Sequence, residues 1–308
     1  MTVTERITTG FGFSTTTDEV MAGVDLSGRR AVVTGAGSGL GAETARSLAA
    51  AGADVVIAVR RPEAAEQVAA GIRQSTGNKS VRVTPLDLAD PASVRSFTQR
   101  WQGPLHVLVN NAAVMAVPDY TTTAQGWELQ FATNYVGHFA LALGLHRALS
   151  AAEGARVVAA SSSAHLSAPV VFDDIHFRFR QYDPWYAYGQ SKTAAVLFAV
   201  EAARRWAGEG IEVNAFNPGA IATGLQRYTG GLKTPVERRK TPQQGAATTM
   251  LLAASPQIRG VTGRYFEDCN EADVADERPA NFGGGVARYA VDPANAERLW
   301  RLTAAAIA

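Results

Sequence analysis

The sequence predicts an α/β fold, a doubly wound parallel sheet with helices on both faces, formed by a single domain. Short apolar segments alternate with helix-like segments at a spacing of roughly 25–30 residues, as in folds where helices connect parallel strands. The strand segments are continuous apolar runs, which is typical of strands buried on both faces. The 308 residues contain no internal repeat and no linker that separates two domains.

In the first half of the chain, a polar, Thr-rich extension over residues 1–25 precedes this pattern and is expected to lie on the surface or to be partly mobile. The first helix has Leu40, Ala45 and Leu48 on one stripe. The second begins with Pro62, a residue suited to the first helical position. The predicted elements are strand 29–35, helix 39–52, strand 53–61, helix 62–75, strand 80–88, helix 91–101 and strand 105–113.

The second half continues the alternation and then becomes irregular. Thr241 and Pro242 are suited to the N-cap and first position of a helix. In the last helix, Leu299, Trp300 and Leu302 are expected to face inward. The predicted elements are helix 134–150, strand 155–161, helix 186–207, strand 211–219, loops or short helices over 220–240, helix 241–255, a last edge strand 263–268, an irregular Gly-rich stretch 269–288 that includes "FGGG", and helix 293–305.

Composition excludes several classes of function. The net charge is +1, and charges of both signs are interspersed, so neither nucleic acid nor an anionic membrane is expected as a partner. No apolar stretch approaches the roughly 20 residues of a membrane helix, and the N-terminus lacks the order of a signal peptide. The single cysteine, Cys269, suits a reducing compartment. A soluble cytoplasmic protein is therefore expected.

A glycine-rich turn, "TGAGSGLG" over residues 34–41, lies between the first strand and the first helix. Its glycines permit a tight turn and a close approach of phosphate to the backbone. The helix N-terminus that follows offers free N–H groups to a pyrophosphate. At the first strand–helix junction of an alternating pattern, this turn predicts a dinucleotide site.

The end of the second strand indicates which dinucleotide binds. NAD-binding proteins usually place an acidic residue there, but this chain has Val59 followed by Arg60 and Arg61. An arginine suits a 2′-phosphate, so NADP(H) is preferred over NAD(H). The alternative is that both arginines are solvated surface charges, which applies more readily to Arg61 than to Arg60.

Tyr188 and Lys192 lie one helical turn apart, so their side chains share a helix face. The chain has 25 arginines and only four lysines, so a lysine at this spacing is notable. A nearby ammonium favours the phenolate and would lower the pKa of Tyr188 toward the range of an acid–base catalyst. The alternative is an exposed Tyr–Lys pair without a role.

Together, these motifs resemble those of the short-chain dehydrogenase/reductase family, in its single-domain form. The turn at 34–41, "NNAA" (110–113), a Ser after the fifth strand and the Tyr-x-x-x-Lys pair occur in the family's order over residues 26–268. The resemblance implies a Rossmann-type catalytic domain over residues 26–308. "TNYVGHF" (133–139), "SSSAH" (161–165) and "YGQSKTA" (188–194) resemble the subgroup that includes retinol dehydrogenases.

The resemblance also assigns roles to residues. Ser162 would orient the substrate oxygen, with Ser163 as the fallback, while Ser161 is expected to bond local backbone. Tyr188 would exchange the proton, Lys192 would also contact the nicotinamide ribose, and Asn134 would anchor a water-mediated relay to the lysine. The residues implied to bind or line the cofactor are Gly35, Ser38, Gly39, Leu40, Gly41, Arg60, Asp87, Leu88, Asn110, Asn111, Ala112, Tyr188, Lys192, Pro218, Gly219, Ile221 and Thr223.

Two segments, 165–187 and 220–240, flank the cleft in this fold, and the first is rich in aromatic residues. Phe177, Phe179, Tyr182 and Trp185 indicate a bulky, apolar or aromatic substrate, or alternatively pack the segment onto the core. His165 is expected to be structural or substrate-lining rather than a base. No His/Cys/Asp cluster has metal-ligand spacing, so no metal is expected. The tail, 269–308, begins near the pocket rim.

The resulting hypothesis is an NADPH-dependent oxidoreductase that reduces a ketone or aldehyde, or oxidises the alcohol, by hydride transfer. One alternative is epimerisation, dehydration or double-bond reduction on the same scaffold. Another is a non-catalytic NADP-binding sensor, although such proteins usually lack the Tyr or Lys of the pair. The predicted helices 134–150 and 186–207 are the family's usual dimer surface, so a homo-oligomer, a dimer or tetramer, is expected.

Overall fold

In the computed structural model, which describes residues 6–280 and 284–308, the central sheet has eight strands. Seven are parallel and the eighth is antiparallel to its neighbour. In spatial order they are β3 (Val81–Pro85), β2 (Asp54–Val59), β1 (Arg30–Thr34), β4 (Val107–Asn110), β5 (Ala155–Ala160), β6 (Ile211–Asn217), β9 (Tyr265–Glu267) and β10 (Asn270–Glu271). The predicted α/β class and single domain are confirmed.

Helices cover both faces of this sheet, and the strands are apolar on both sides for that reason. Val32 and Val33 are both fully buried, but they belong to apolar clusters on opposite faces. The helices are α1 (Thr17–Val20), α2 (Gly39–Ala50), α3 (Pro62–Thr76), α4 (Pro91–Gln99), α5 (Leu129–Phe131), α6 (Gly137–Gly144), α7 (His146–Ser150), α8 (Pro184–Arg205), α9 (Pro242–Ala254) and α10 (Pro293–Ile307). Among them, α2, α3 and α9 pack on one face and α4, α6 and α8 on the other.

Side-chain caps fix where helices α8 and α9 begin. The Asp183 carboxylate accepts hydrogen bonds from the first backbone amides of α8, and Pro184 occupies its first position. Thr241 caps α9 in a reciprocal pair with Gln244, as its sequence predicts. Helix α8 therefore begins two residues earlier than the predicted start at residue 186.

The predicted helix 134–150 is interrupted. It begins as α5, widens into one π-helical turn over Ala132–Val136, continues as α6 and ends as α7. At the π-helix–α6 junction the backbone presses against the loop after β3, where a Cβ on Gly137 would lie 2.1 Å from the Leu88 carbonyl oxygen. This close contact is tertiary, and helical periodicity does not reveal it.

The segment over residues 220–240 combines short strands and turns of 3₁₀ helix, in line with its predicted loops and short helices. The 3₁₀ turns are Gly224–Tyr228 and Val236–Arg238. The strands β7 (Ala220–Ile221) and β8 (Arg239–Lys240) pair in parallel and close the segment on itself.

The N-terminal extension packs against the sheet instead of trailing from it. Thr17 and Val20 of α1 are buried, and the Glu271 amide donates to the Ile7 carbonyl over 2.9 Å. The prediction that residues 263–268 form the sheet edge is wrong, because β10 and the segment around Ile7 lie outside β9. Both additions come from distant parts of the sequence.

The C-terminal helix α10 packs across α6 and α8. Trp300 lies between Phe139 of α6, with ring centres 4.8 Å apart, and Phe198 of α8, whose ring is parallel at 6.1 Å. Leu299 and Trp300 face inward as predicted, but Leu302 does not, since it is 44% exposed. Thr303 takes the inward position because it is one turn beyond Leu299, and its hydroxyl bonds that of Tyr135.

Part of the predicted irregular stretch also has structure. Strands β11 (Val274–Ala275) and β12 (Val286–Ala287) pair in parallel. Residues 281–283, which include part of "FGGG", lie outside the described residues. Within the described ranges, each helix is too short or too polar to cross a membrane.

Candidate active site

A cavity of about 1980 Å³ lies at the carboxyl ends of the parallel strands. This is the edge where ligands bind in open α/β sheets, at the point where the strand order reverses between β1 and β4. The cavity wall includes every residue predicted for catalysis or cofactor binding except Asn110 and Asn134. The structure thus brings these residues together, and their roles in binding and catalysis stay predictions.

The backbone of the glycine turn packs so closely against its surroundings that larger side chains would not fit at its glycine positions. Gly35 and Gly39 have φ of +68° and +55°, in the left-handed region that favours glycine. A Cβ on Gly41 would lie 2.6 Å from the Asn111 amide nitrogen and 2.8 Å from the Gly35 carbonyl oxygen. The side chain of Ser38 caps no backbone amide of α2. The turn and the N-terminus of α2 therefore fit a pyrophosphate.

At the end of β2, Arg60 and Arg61 are exposed and line the cavity. No carboxylate stands at the position where NAD-binding proteins usually have one. Asp87 follows β3 on the neighbouring side, and its carboxylate accepts the Ala89 amide over 2.9 Å. The cavity end near Arg60 therefore combines two guanidinium groups with a fixed acidic side chain.

At the opposite end, Ser162, Tyr188 and Lys192 meet. Helix α8 carries Tyr188 and Lys192, each only 3% exposed. Ser162 follows β5, where its hydroxyl accepts the Ala164 amide over 3.2 Å and also hydrogen-bonds Tyr188. Ser161 donates to the Lys192 carbonyl over 2.8 Å, a backbone acceptor on α8 and not the local one that was expected.

Burial governs the pKa values of the Tyr–Lys pair. It raises the pKa of Tyr188 to about 12, against the smaller lowering effect of the hydrogen bond with Ser162. It lowers the pKa of Lys192 to about 8. The Lys192 ammonium donates to the Ala160 carbonyl over 2.9 Å and lies 5.6 Å from the centre of the Tyr188 ring. The expectation of a lowered Tyr188 pKa is wrong. Burial disfavours the charged forms of both side chains, the phenolate of Tyr188 and the ammonium of Lys192.

The amide of Asn134 lies in the π-helical turn and is held on both sides by Val114. It accepts the Val114 amide over 2.8 Å and donates to the Val114 carbonyl over 2.9 Å. It also donates to the Ser191 hydroxyl over 2.9 Å. Asn134 thus fixes the helix to the loop after β4, and its part in a proton relay stays a prediction.

Sequence reasoning missed His138, which connects this helix to the glycine turn. Its Nδ1 donates to the Asn134 carbonyl over 2.9 Å, and its Nε2 lies 2.8 Å from the Thr34 hydroxyl. Thr34 in turn accepts the amides of Asn111 and Ala112. Burial lowers the pKa of His138 to about 4, so the ring is neutral. The sequence signal that could have identified His138 was its position in the "TNYVGHF" motif (133–139).

Beside His138 lies a second, much smaller cavity of about 10 Å³. Asn110 and Asn134 line it, together with Ala160, whose carbonyl accepts from Lys192. Both polar atoms of the Asn110 amide are buried and have no hydrogen-bond partner among the described residues. This volume is close to that of a single water molecule, which would satisfy the amide.

His165 has a structural role. It is fully buried, its Nδ1 donates to the Ser162 carbonyl over 2.7 Å, and its Nε2 accepts the Ala287 amide over 3.1 Å. It is absent from the cavity wall. Of the two roles expected for His165, the structural one is therefore found.

Part of the cavity wall near Tyr188 is apolar, and charged side chains such as Arg227 and Lys233 line the wall as well. Of the four aromatic residues expected there, Trp185 lines the wall, whereas Phe179 is 91% exposed. Phe177 and Tyr182 pack against each other, with ring centres 5.4 Å apart. For these two the packing alternative is correct. The apolar side chains on this part of the wall are Met115, Val117, Leu129, Trp185, Leu225 and Tyr228.

The sequence of this chain matches a known protein family and named relatives. Residues 29–231 match the family model described as short chain dehydrogenase. The chain belongs to the short-chain dehydrogenase family. This short-chain dehydrogenase is 55% identical over 294 residues to a Streptomyces antibioticus protein named "Probable oxidoreductase", with 90% of this chain and 97% of the relative covered. It is 36% identical over 288 residues to retinol dehydrogenase 13 of Mus musculus, with 89% and 82% covered.

Solved structures agree with this assignment. A Mycobacterium paratuberculosis protein superposes with a TM-score of 0.74 at 34% identity, covering 93% of this chain and 96% of its own. A short chain dehydrogenase from Escherichia coli CFT073, solved as a complex with NADPH, has a TM-score of 0.64 at 25% identity, with 79% and 97% covered. This short-chain dehydrogenase is thus an oxidoreductase-family protein of the retinol dehydrogenase-like subgroup.

Proposed function

We propose that this short-chain dehydrogenase is an NADPH-dependent carbonyl reductase, or the reverse alcohol dehydrogenase, acting on a bulky, largely apolar molecule. The observation that carries the proposal is that two groups of residues line the same cavity. Arg60 stands at one end beside the glycine turn, and the Ser162–Tyr188–Lys192 group stands at the other.

The cofactor preference is supported by charge at the end of β2. A 2′-phosphate carries negative charge, which the guanidinium of Arg60 would bind through charge-assisted hydrogen bonds. Arg61, at the N-terminus of α3, lies on the same wall and would add positive charge near the 2′-phosphate. The Escherichia coli short chain dehydrogenase solved as a complex with NADPH supports this preference.

The side chains at the other end supply acid–base chemistry. When bound, the nicotinamide would supply a hydride to a carbonyl carbon or accept one from an alcohol. Ser162 would donate a hydrogen bond to the substrate oxygen, where negative charge develops. Tyr188, whose pKa of about 12 keeps it protonated at neutral pH, would give its proton to that oxygen. The Lys192 ammonium would then stabilise the phenolate that this transfer leaves.

The substrate class is supported by the cavity wall and by relatives. Met115 and Leu225 pack with Tyr188 and line the cavity, so an apolar body would displace water from apolar surface there. A relative named for retinol dehydrogenase covers 89% of this chain, and retinol is an alcohol that is largely hydrocarbon. The single, buried Cys269 supports a reducing, cytoplasmic location.

A fluorescence titration with NADPH and NADH tests the cofactor assignment. NADPH should bind more tightly, and Arg60→Ala should weaken NADPH binding roughly ten-fold or more while leaving NADH unchanged, since one charge-assisted hydrogen bond contributes about that much. Arg95→Ala, an exposed arginine of α4 away from the cavity, is the matched control. Equal binding of both dinucleotides would contradict the assignment.

Turnover of ketones then separates chemistry from binding. Tyr188→Phe should lower kcat by about 10²–10⁴, the usual contribution of a positioned acid, and leave the affinity for NADPH intact. A variant that binds NADPH normally and still reduces the ketone at the original rate would exclude Tyr188 as the proton donor.

A further inference from the structure

The N-terminal segment, residues 6–16, reaches the rim of the cavity from outside the part of the chain that matches the family. It is fastened to the hairpin of β9 and β10. The Thr9 amide donates to Asn270 Oδ1 over 2.7 Å, and the Thr9 hydroxyl donates to the Cys269 carbonyl over 3.0 Å. The Asn270 amide donates to the Phe11 carbonyl over 2.9 Å. These bonds place the Phe13 side chain on the cavity wall.

Phe13 covers a buried lysine. The Lys240 side chain is only 1% exposed, and its ammonium lies 2.5 Å from Asp268 Oδ1 and 5.0 Å from the centre of the Phe13 ring. A cation over an aromatic face is attracted by the ring, more strongly when water is excluded. Phe13, Lys240 and Asp268, here called the Phe13 brace, join three distant parts of the chain at one point of the cavity rim.

The alkyl chain of Lys240 supports the loop over residues 217–223. Ile221 pairs with Lys240 in the β7–β8 ladder. Gly219 has a φ of +83°, and a Cβ at this position would lie 3.1 Å from Lys240 Cδ. On the other side of the loop, Thr223 faces the glycine turn, since a Cβ on Gly39 would lie 3.0 Å from Thr223 Cγ2. The loop is therefore held between Lys240 and the glycine turn.

Asp268 is aimed at Lys240 by an unusual turn. Asp268 and Cys269 form the two-residue connection between β9 and β10, with φ of +48° and +63°. Such turns suit the twist of a hairpin but favour Asn-Gly, because other side chains are strained there. Strained backbone of this kind persists where the surroundings over-determine it, and it occurs often at functional sites.

We propose that the Phe13 brace positions the 217–223 loop against the nicotinamide end of the bound cofactor, so that the N-terminal segment is a working part of the site. This inference rests on the proposed function. Phe13, Lys240 and Asp268 are positioning residues, since they act through the loop and not on the reacting atoms. The loop lines the same cavity as Tyr188 and Lys192.

A brace that only stabilised the fold would behave differently from one that positions the nicotinamide. Adenosine 2′,5′-bisphosphate has the adenosine and 2′-phosphate of NADPH but no nicotinamide. Its affinity therefore reports the Arg60 end of the cavity alone. Loss of the brace should change NADPH binding and catalysis while the affinity for the bisphosphate stays constant.

The experiment uses the full chain with Phe13→Ala, Lys240→Met and Asp268→Asn, the last because Asn tolerates the left-handed turn. Calorimetric titration gives the Kd of NADPH and of adenosine 2′,5′-bisphosphate, and steady-state kinetics gives kcat. We expect each variant to raise the NADPH Kd and lower kcat by roughly three- to ten-fold, as for loss of one cation–π contact or ion pair. The bisphosphate Kd should stay unchanged, and Phe13→Tyr should restore the wild-type values.

Phe11→Ala is the matched control. It truncates the same segment two residues away, where Phe11 packs on the apolar core and not on the cavity. It should lower thermal stability but leave the ratio of the two Kd values unchanged. A brace variant that leaves both Kd values unchanged, or that raises both by the same factor, would overturn the inference while the proposed function stands. Failure of the wild-type protein to bind NADPH would instead overturn the proposed function.

Discussion

Lys192 is an ammonium group with almost no exposed surface and one hydrogen bond to backbone, from its Nζ to the Ala160 carbonyl over 2.9 Å. Burial disfavours its charged form and lowers its pKa to about 8. The folded-state pKa is below the unfolded value, so this group reduces stability while it is charged, and the loss is recovered as pH rises beyond 8. The protein accepts this cost to keep a charge beside Tyr188.

The titration of Lys192 should appear in catalysis. Carbonyl reduction needs the ammonium to stabilise the phenolate of Tyr188, so kcat should fall as pH rises through about 8, long before Tyr188 loses its own proton near 12. The check is the pH profile of kcat from 6 to 10 at saturating cofactor and ketone.

Lys192→Arg provides the comparison for this profile. Arginine stays charged over the whole range, so the decline near pH 8 should disappear whatever the absolute rate of the variant. An inflection at the same pH in both proteins would assign the titration to another group.

At the scale of single elements, the interrupted helix begins at a cap formed by one buried acidic residue, Glu128. Glu128 is fully buried, and its carboxylate accepts the amides of Gln130 over 2.9 Å and Phe131 over 2.7 Å at the start of α5. Burial raises the pKa of Glu128 to about 7, and these two hydrogen bonds oppose that rise. The cap is therefore formed by a group that resists ionisation at neutral pH.

A raised carboxyl pKa has a definite sign in stability. The unfolded chain ionises Glu128 near pH 4.5 and the folded chain near 7, so unfolding releases a proton between these values. Stability should fall as pH rises from 5 to 8, by up to about 3 kcal/mol from this group. Glu128→Gln should remove that part of the pH dependence.

Chemical unfolding of both proteins at pH 5 and pH 8 measures the difference. Glu63→Gln, an exposed acid in the first turn of α3, is the control for replacing any Glu by Gln. If wild type and Glu128→Gln lose the same free energy of unfolding between the two pH values, Glu128 does not titrate as described.

Local signals account for what the sequence predicted well. Continuous apolar runs identify the strands, the glycine turn identifies the first strand–helix junction, and Thr241 with Pro242 identifies the start of α9. The placement of Tyr188 and Lys192 on one helix face depends only on their spacing. Each of these features is encoded within a few consecutive residues.

Features that depend on contacts between distant residues were not predictable in this way. The break at Gly137 depends on the loop that carries Leu88. The edge of the sheet depends on Ile7, more than 250 residues before its partner Glu271. The direction of the Tyr188 pKa shift depends on burial, which the four-residue spacing to a lysine does not contain.

At the scale of the whole molecule, one apolar cluster extends from the sheet through α6 and α8 to α10. Trp300 is 7% exposed, contacts Phe139, Phe198 and Trp206, and lies under the guanidinium of Arg205. Trp300 is therefore the largest of the side chains through which the C-terminal helix packs on α6 and α8.

Trp300→Ala should destabilise the protein by about 3–5 kcal/mol, the usual cost of removing a large buried aromatic side chain. Denaturant unfolding followed by circular dichroism measures it. Leu302→Ala on the same helix is the control, because Leu302 faces outward and should cost well under about 1 kcal/mol. Equal effects of the two substitutions would mean that α10 does not depend on its inward face.

The position of α10 also bears on how copies of this chain could meet. It packs on Tyr135 of the π-helical turn, Phe139 of α6 and Phe198 of α8, within the two predicted helices through which the family resemblance suggested a dimer. A second copy could contact these three side chains only after α10 had detached and exposed Trp300 to water. We therefore expect any interface between copies of this chain to lie outside these three side chains.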